Sequence, residues 1–396
     1  MIKTITDFNF NNKKVLIRVD FNVPLDEKRH VTDTTRIERA KKTILKVLND
    51  GGSVILMSHL GRPKGIEEQF SLKHILPAVS TILDKKILFA KDCIGEETSK
   101  QAKELQKGEV LLLENLRFHP EEKAGDVTFA KKLASLADFY VNDAFGTAHR
   151  AHASTTVIAQ FFKDKCAAGF LLSSEIKAIS QVLEEGKKPI LAILGGAKIS
   201  SKIGVVKNLI DKVDNIIIGG GMAYTFVKAQ GGKIGNSICE DDQLELALEI
   251  LAEAKAKNTK IHLPVDTIAA DSFSNEAKTQ TVAIDAIPDG WMGLDIGPKT
   301  QVGFSYVALA NQTILWNGPM GVFEMTKFRN GTRELANAIA DATANGAFSL
   351  VGGGDSVAAV ELFNLAHEVS YISTGGGALL EMLEGKTLPG IAALDD

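Results

Sequence analysis

The chain has 396 residues, with 45 Lys or Arg against 49 Asp or Glu and a formal net charge of −4. At ~100–200 residues per domain this length predicts two or three domains, and the near-neutral balance argues against a dedicated nucleic-acid binder, which carries a strong basic excess. Apolar content of 45% and charged content of 24% exclude wholesale disorder, and a chain this long buries a large core without disulfides or structural metal.

The first segment, MIKTITDFNFNNKKV, lacks the apolar stretch of a signal peptide. No run of about eighteen apolar residues occurs, so no membrane-spanning helix is expected. KKVLIRVDFNV predicts a strand, and TTRIERAKKTILKVLNDGG predicts a helix, with Ile37, Lys41, Ile44, Leu45 and Leu48 at helical spacing and Gly51 just past its end. SVILMSHL, KILFA, EVLLLEN and FYVNDAF are further strands, with helices predicted over LKHILPAVSTIL and FAKKLASLA. The strands are continuous apolar runs, as expected of parallel strands buried on both faces.

SSEIKAISQVLEEGKK predicts one amphipathic helix between two halves of similar length. Beyond it, PILAILGG, DNIIIGGG, KIHLPVDTIAA, TILWNGPMG, AFSLVGGG and VSYISTGGG predict strands, and KIGVVKNLIDKV, QLELALEILAEAKAKN and RELANAIADATANG predict helices. This alternation means α/β architecture with right-handed crossovers and parallel sheets.

Cys93, Cys166 and Cys239 are far apart, with no Cys-x-x-Cys. Neither a disulfide framework nor a thiolate zinc site is expected, and a reducing cytoplasm suits the pattern. No His-x-x-x-His spacing occurs either, which also argues against zinc.

Seven of the nine arginines and six of the eight histidines lie at or before residue 152, whereas 26 of the 35 glycines lie after residue 182. Arginine grips carboxylate and phosphate bidentately, and glycine turns at helix starts let backbone N–H groups approach phosphates. Two anion sites of different design are therefore expected. Four predicted strand ends in the first half deliver Asp20 and Asn22, then His59 and Arg62, then Arg117 and His119, then His149, Arg150 and His152. Strand ends of one parallel sheet share an edge, where ligands of open α/β sheets bind. Thr35-Arg36-Ile37-Glu38 has capping-box spacing, which puts Arg36 in the first turn of a helix. A cation there opposes the macrodipole by roughly 0.3–1 kcal/mol, a cost offset if Arg36 meets an anion.

In the second half, LGGAKISSK, IGGGMAY, VGGGDSV and STGGGAL place glycine turns at strand ends before helices. None matches the P-loop or the dinucleotide fingerprint, which counts against a dehydrogenase. Lys198 and Lys202 are four apart, so a following helical turn is expected to put both on one side, facing phosphate. Asp355, beside a polyphosphate, calls for a bridging Mg²⁺.

The blocks RVDFNVPL, SHLGRPKG, ENLRFHPEE, NDAFGTAHRAHAS, LGGAKISSKI, GLDIGPKT, WNGPMGVFE, GGGDS and STGGGA occur in this order. Through them the chain resembles the phosphoglycerate kinase family. The resemblance implies two similar-sized α/β domains, each a mainly parallel sheet flanked by helices, joined by an inter-domain helix with a cleft between. It implies a phosphoglycerate-binding domain at 1–172, to which 378–396 returns, and a Mg-nucleotide domain at 173–377 that includes the inter-domain helix.

By the same resemblance, Asp20, Phe21, Asn22, Arg36, His59, Leu60, Gly61, Arg62, Arg117 and Arg150 contact the phosphoglycerate, supported by His149 or His152. Lys198, Lys202, Gly219, Gly220, Gly221, Gly293, Asn317, Glu324, Gly353, Gly354, Asp355 and Ser356 hold the nucleotide, with Asp355 on Mg²⁺. Arg36, Lys198 and Gly376, within the helix start at 374–376, serve the transfer itself. Where the family more often has Ser, this chain has Ala378. The implied partners are 3-phosphoglycerate or 1,3-bisphosphoglycerate and ATP or ADP, with no nucleic acid or membrane, in a cytoplasmic monomer that closes by hinge bending.

Overall fold

The computed structural model describes residues 2–395. Residues 2–176 and 387–395 form one compact unit, and residues 177–386 form a second. The sequence reading drew these lines at 172/173 and 377/378. Helix Gly377–Leu383 stays with the second unit because it packs against helix Ile203–Ile210, with Asn208 Nδ2 donating to Leu383 O at 2.7 Å. The returning segment begins after it, where Gly390 N donates to Ala148 O at 2.8 Å.

Six strands build the first unit: β1 (Lys14–Val19), β2 (Ser53–Met57), β3 (Ile87–Phe89), β4 (Val110–Leu112), β5 (Phe139–Asp143) and β6 (Cys166–Ala168). They form one all-parallel sheet in the order β3-β4-β2-β1-β5-β6. β1, β2, β4 and β5 are buried almost throughout, as their unbroken apolar runs require. Ile17, Val54, Leu56, Leu112 and Val141 pack against Ile37, Ile44 and Val47 of helix Thr35–Asn49. Each fully buried aliphatic side chain contributes about 1.5–3 kcal/mol. The parallel register brings the carboxyl ends of β1, β2, β4 and β5 to one edge of the sheet, at its centre.

The second unit holds β7 (Ile190–Leu194), β8 (Asn215–Ile218), β9 (Lys233–Ile234), β10 (Lys260–His262), β11 (Asp266–Ala270), β12 (Thr279–Ala283), β13 (Ala286–Ile287), β14 (Met292–Ile296), β15 (Thr313–Asn317), β16 (Phe348–Val351) and β17 (Tyr371–Ile372). Its main sheet is again all parallel, in the order β10-β8-β7-β15-β16-β17. A three-stranded antiparallel sheet, β12-β11-β14, stands beside it, with β9 and β13 as a small parallel pair. The main sheet is the parallel one expected, and the antiparallel sheet is an addition to it. KIHLPVDTIAA, read as a single strand, breaks at Pro264 into β10 and β11, since proline has no N–H for a central ladder.

Among the described residues no helix is long and apolar enough to cross a membrane. All three cysteines are free thiols.

Candidate functional site

At the edge of the first sheet, Asp20 directly follows β1 and Arg36 occupies the first turn of helix Thr35–Asn49. Arg36 Nη1 donates to Asp20 Oδ2 at 2.6 Å. The cap sits one residue earlier than the sequence suggested. Thr34 is the N-cap and its Oγ1 donates to Glu38 Oε1 at 2.7 Å, while Asp33 Oδ1 accepts from both Thr35 N and Thr35 Oγ1. The Asp33 carboxylate therefore fixes Thr35 as the first helical residue rather than the cap.

The β2 and β4 ends are knitted together by Asn115. Its side chain accepts from Leu60 N and Arg117 N and donates to Leu60 O and Phe70 O. Asn22 Oδ1 accepts from Gly61 N at 2.8 Å, and Arg117 Nη1 donates to Gly61 O at 2.8 Å. Gly61 has φ +62°, and a Cβ there would lie 2.4 Å from the Phe70 ring, so only glycine fits. Phe21 and Leu60 are buried, and the Phe21 amide is taken by Ser58 Oγ. Both shape the loop and present no side-chain polar group. Arg62 and Arg150 are exposed.

Behind this edge lies a group that sequence reasoning missed. Arg18 is fully buried in β1. It donates to Ser154 Oγ at 2.9 Å, to Val19 O, and lies 3.1 Å from His59 Nδ1. Glu122, also fully buried, accepts from Ser154 N and Ser154 Oγ at 3.0 and 2.6 Å. Its burial pushes its carboxyl up, against the Arg18 charge, which holds it down. An arginine inside the apolar run KVLIRV was the only sequence signal, and Ser154 and Glu122 lie more than a hundred residues away from it.

Burial, and then the charges of Arg18, Arg117 and Arg36, hold His59 well below the usual histidine range. Burial, then Arg117, Arg18 and Arg150, lowers His152 to about 4. Both imidazoles are therefore neutral at pH 7. Burial, then Arg18, lowers Arg117 from its ordinary value, with Arg62 acting in the same direction. The guanidiniums of Arg18, Arg36, Arg62, Arg117 and Arg150 thus feel common neighbours. Asp20 and Glu122 are the carboxylates that these shifts register among them. With Arg18 and Glu122 buried behind the edge, Arg36, Arg62, Arg117 and Arg150 remain beside Asp20, an excess of guanidinium that suits a multiply charged anion.

The second unit carries a cavity of about 490 Å³ whose wall includes Gly220, Gly221, Gly293, Glu324 and Asp355. Tyr224, Ile238, Met292 and Met320 make the rest of that wall largely apolar. A Cβ on Gly293 would lie 1.9 Å from Tyr224 Oη, and one on Gly220, at φ +65°, 2.6 Å from Gly196 N. Gly219 does not line the cavity. It backs onto Met320, whose Sδ would lie 2.2 Å from a Cβ there.

Lys198 and Lys202 do not share a helical turn, which corrects the sequence reading. The helix begins only at Ile203, and residues 196–202 form turns in which Ser200 binds Glu240 and Ser201 Oγ donates to Lys198 O. Lys198 is exposed in that loop. Lys202 Nζ instead folds onto the strand ends, donating to Gly195 O at 2.5 Å and Asn317 O at 2.7 Å. Burial lowers its ammonium to about 8, and the Asp355 charge partly opposes the shift.

Asn317 Nδ2 donates to Gly352 O at 2.9 Å and Ser356 Oγ accepts from Gly318 N at 2.6 Å. These two join the ends of β15 and β16. Gly353, at φ +92°, is the N-cap of helix Gly354–Leu362, so Asp355 lies in its first turn with an exposed carboxylate. Gly376, with positive φ, is likewise the N-cap of Gly377–Leu383. One exposed carboxylate beside an anion cradle suits Mg²⁺, which takes one or two carboxylates and keeps several waters.

A family profile described as phosphoglycerate kinase matches residues 5–386. The chain belongs to the phosphoglycerate kinase family. It is 54% identical to a phosphoglycerate kinase from Porphyromonas gingivalis over 415 aligned residues, covering 99% of each chain. It is also 54% identical to one from Chlorobium limicola, covering 100% of this chain and 99% of that one. Among solved structures, phosphoglycerate kinase from Coxiella burnetii matches with a TM-score of 0.92 at 42% identity, covering 100% of this chain and 99% of that one. The Pyrococcus horikoshii phosphoglycerate kinase structure matches with a TM-score of 0.83 at 31% identity, covering 100% and 98%. The family consists of glycolytic kinases that use ATP or ADP, and the two-domain α/β architecture and kinase class expected from the sequence hold.

Proposed function

We propose that the chain reversibly transfers the acyl phosphoryl group of 1,3-bisphosphoglycerate to Mg-ADP, giving 3-phosphoglycerate and ATP. The observation that carries this reading is the surplus of guanidinium over carboxylate at the first unit's strand edge. The glycine-walled cavity with Lys202 and Asp355 at hand in the second unit complements it. In the ATP-consuming direction the nucleophile is a carboxylate, already ionised at neutral pH. No proton needs removing, which agrees with His59 and His152 being held neutral and with the absence of an acid–base dyad among the residues assigned.

Arg36 orients the reacting carboxyl and neutralises charge on the transferring group, releasing Asp20 as it does so. Arg62, Arg117 and Arg150 bind the remote 3-phosphate. Gly220, Gly221 and Gly293 accept the flat adenine, Glu324 the ribose hydroxyls, and Lys202 exchanges its two carbonyl partners for phosphate. Lys198 and the backbone N–H groups at 374–376 neutralise the transferring group. Asp355 holds Mg²⁺, which when bound neutralises phosphate charge. In-line transfer needs the reacting atoms about 3–3.5 Å apart, so closure around both substrates belongs to this reading. Catalysis is then positioning and charge neutralisation. A cytoplasmic monomer suits the reading.

The test is ATP formation from 1,3-bisphosphoglycerate and Mg-ADP by the purified chain. Turnover of a nicotinamide cofactor by the chain alone, with no ATP formed, would replace it with a dehydrogenase.

A further inference from the structure

The spacing of cysteines and histidines argued against zinc, yet the fold assembles a mixed ligand set at the β3–β4 end of the same strand edge, two residues beyond Arg117. β3 and β4 are parallel neighbours, so the loops that leave their carboxyl ends run side by side. The first loop carries Asp92 and Cys93. The second carries His119, directly after the 3₁₀ turn Leu116–Phe118. One ligand atom from each of Asp92, Cys93 and His119 lies within 4.8 Å of the other two, and no other such group of three occurs among the described residues.

We propose that Asp92, Cys93 and His119 form a binding site for a borderline-soft divalent metal, best matched by Zn²⁺, with the fourth position open to water. The donor set decides the metal class. Thiolate and imidazole select zinc-like ions over Mg²⁺ or Ca²⁺, which take oxygen. A tetrahedron built on zinc bonds of about 2.0–2.3 Å places ligand atoms roughly 3.3–3.6 Å apart, so the group needs only a small adjustment to close on an ion.

The loop is already organised for this. Thr98 Oγ1 donates to Asp92 O at 2.9 Å, and Cys93 N donates to Asp92 Oδ1 at 2.6 Å. His119 Nε2 lies 2.7 Å from Asp92 Oδ1, and its ring packs against Phe129 at 5.3 Å between centroids. Cys93 is fully buried while the Asp92 side chain is 51% exposed, so the soft ligand lies inside and the entry path outside. As the metal–sulfur bond forms, the thiol gives its proton to solvent, and the metal replaces the His119–Asp92 contact. The site is independent of the phosphoryl-transfer reading.

The test uses the full chain, stripped with chelator and titrated with Co²⁺. The expected result is a thiolate-to-cobalt charge-transfer band that Zn²⁺ abolishes, that is lost in Cys93→Ser and that survives in Cys239→Ser. His119→Gln, at a half-buried position, and Asp92→Asn, at an exposed one, should each weaken Zn²⁺ binding at least about tenfold, and they carry the test if Cys93→Ser does not fold. Wild-type Tm should rise with Zn²⁺ concentration. No band at millimolar Co²⁺, or a band and affinity unchanged in His119→Gln and Asp92→Asn, overturns the proposal. In that case Asp92 serves only as an acceptor for its two neighbours.

Discussion

Arg36 donates to Asp20 across 2.6 Å, with the arginine side chain 37% exposed and the aspartate 13%. This pairing explains how a cation is tolerated in the first turn of a helix, where the macrodipole opposes it by roughly 0.3–1 kcal/mol. It also keeps the guanidinium extended toward the strand edge, where the proposed substrate anion would compete for it. Arg36→Ala should lower kcat by about 10²–10³-fold, the range for removing one preorganised transition-state donor, with a much smaller rise in KM. Arg36→Lys should recover only part of the loss, because an ammonium lacks the planar fork. Steady-state kinetics in the ATP-forming direction decides the matter, and normal turnover in Arg36→Ala would remove its assigned role.

Arg62 differs in kind. It is exposed, and its charge reaches Arg117. Arg62→Ala should raise KM for the phosphoglycerate by about 10–100-fold, the worth of one or two charge-assisted bonds, with the affinity for ATP and the thermal midpoint unchanged. A loss confined to ATP would contradict the assignment of this edge to the remote phosphate.

Lys202 gives a pH signature. In the free chain burial lowers its ammonium to about 8, and adjacent phosphate would raise it again. Above pH 8 ADP must then bind together with a proton. Affinity should fall by up to about tenfold per pH unit as pH rises past 8. Calorimetry in buffers of different ionisation enthalpy should show proton uptake at pH 8.5. Lys202→Arg, charged throughout, should bind without it. Uptake that persists in Lys202→Arg would place the titrating group elsewhere.

These sites were unequally legible in the sequence. His59, Arg62, Arg117, His119, His149, Arg150 and His152 were readable because each lies shortly past a continuous apolar run, and parallel strands share one edge. Arg36 was readable from a local cap pattern, although Asp33 moved the cap itself to Thr34. The Arg18–Ser154–Glu122 group was not readable, because a buried charge finds its partner through tertiary contact. The shared turn expected of Lys198 and Lys202 failed for a related reason. Helical spacing applies only inside a helix, and Ser200 and Ser201 hold that segment in turns up to Ile203. Asp92, Cys93 and His119 are brought together by sheet order, which no local spacing encodes.

Asp143, at the end of β5, links the sheet to helix Phe170–Leu183. Its Oδ1 accepts from Leu171 N at 2.9 Å and Leu172 N at 3.2 Å, and a Cβ on Gly169 would lie 2.2 Å from it. Complete burial outweighs the Thr43 hydroxyl and these two amides, which hold the carboxyl down, and raises it to about 7 from 3.8. Between those values the folded chain keeps a proton that the unfolded chain has released. The stabilisation from this group is therefore complete below pH 3.8 and is lost as pH climbs to 7, by up to about 1.4 kcal/mol per unit. Asp143→Asn keeps an acceptor for both amides but does not ionise. Asp295, raised in the same direction, and His59 and His152, lowered, are common to both proteins and cancel in the comparison. Urea midpoints measured from pH 5 to 8 should therefore show wild type losing stability relative to Asp143→Asn as pH rises. Parallel curves across that range would mean that Thr43 and the two amides keep Asp143 ionised despite its burial.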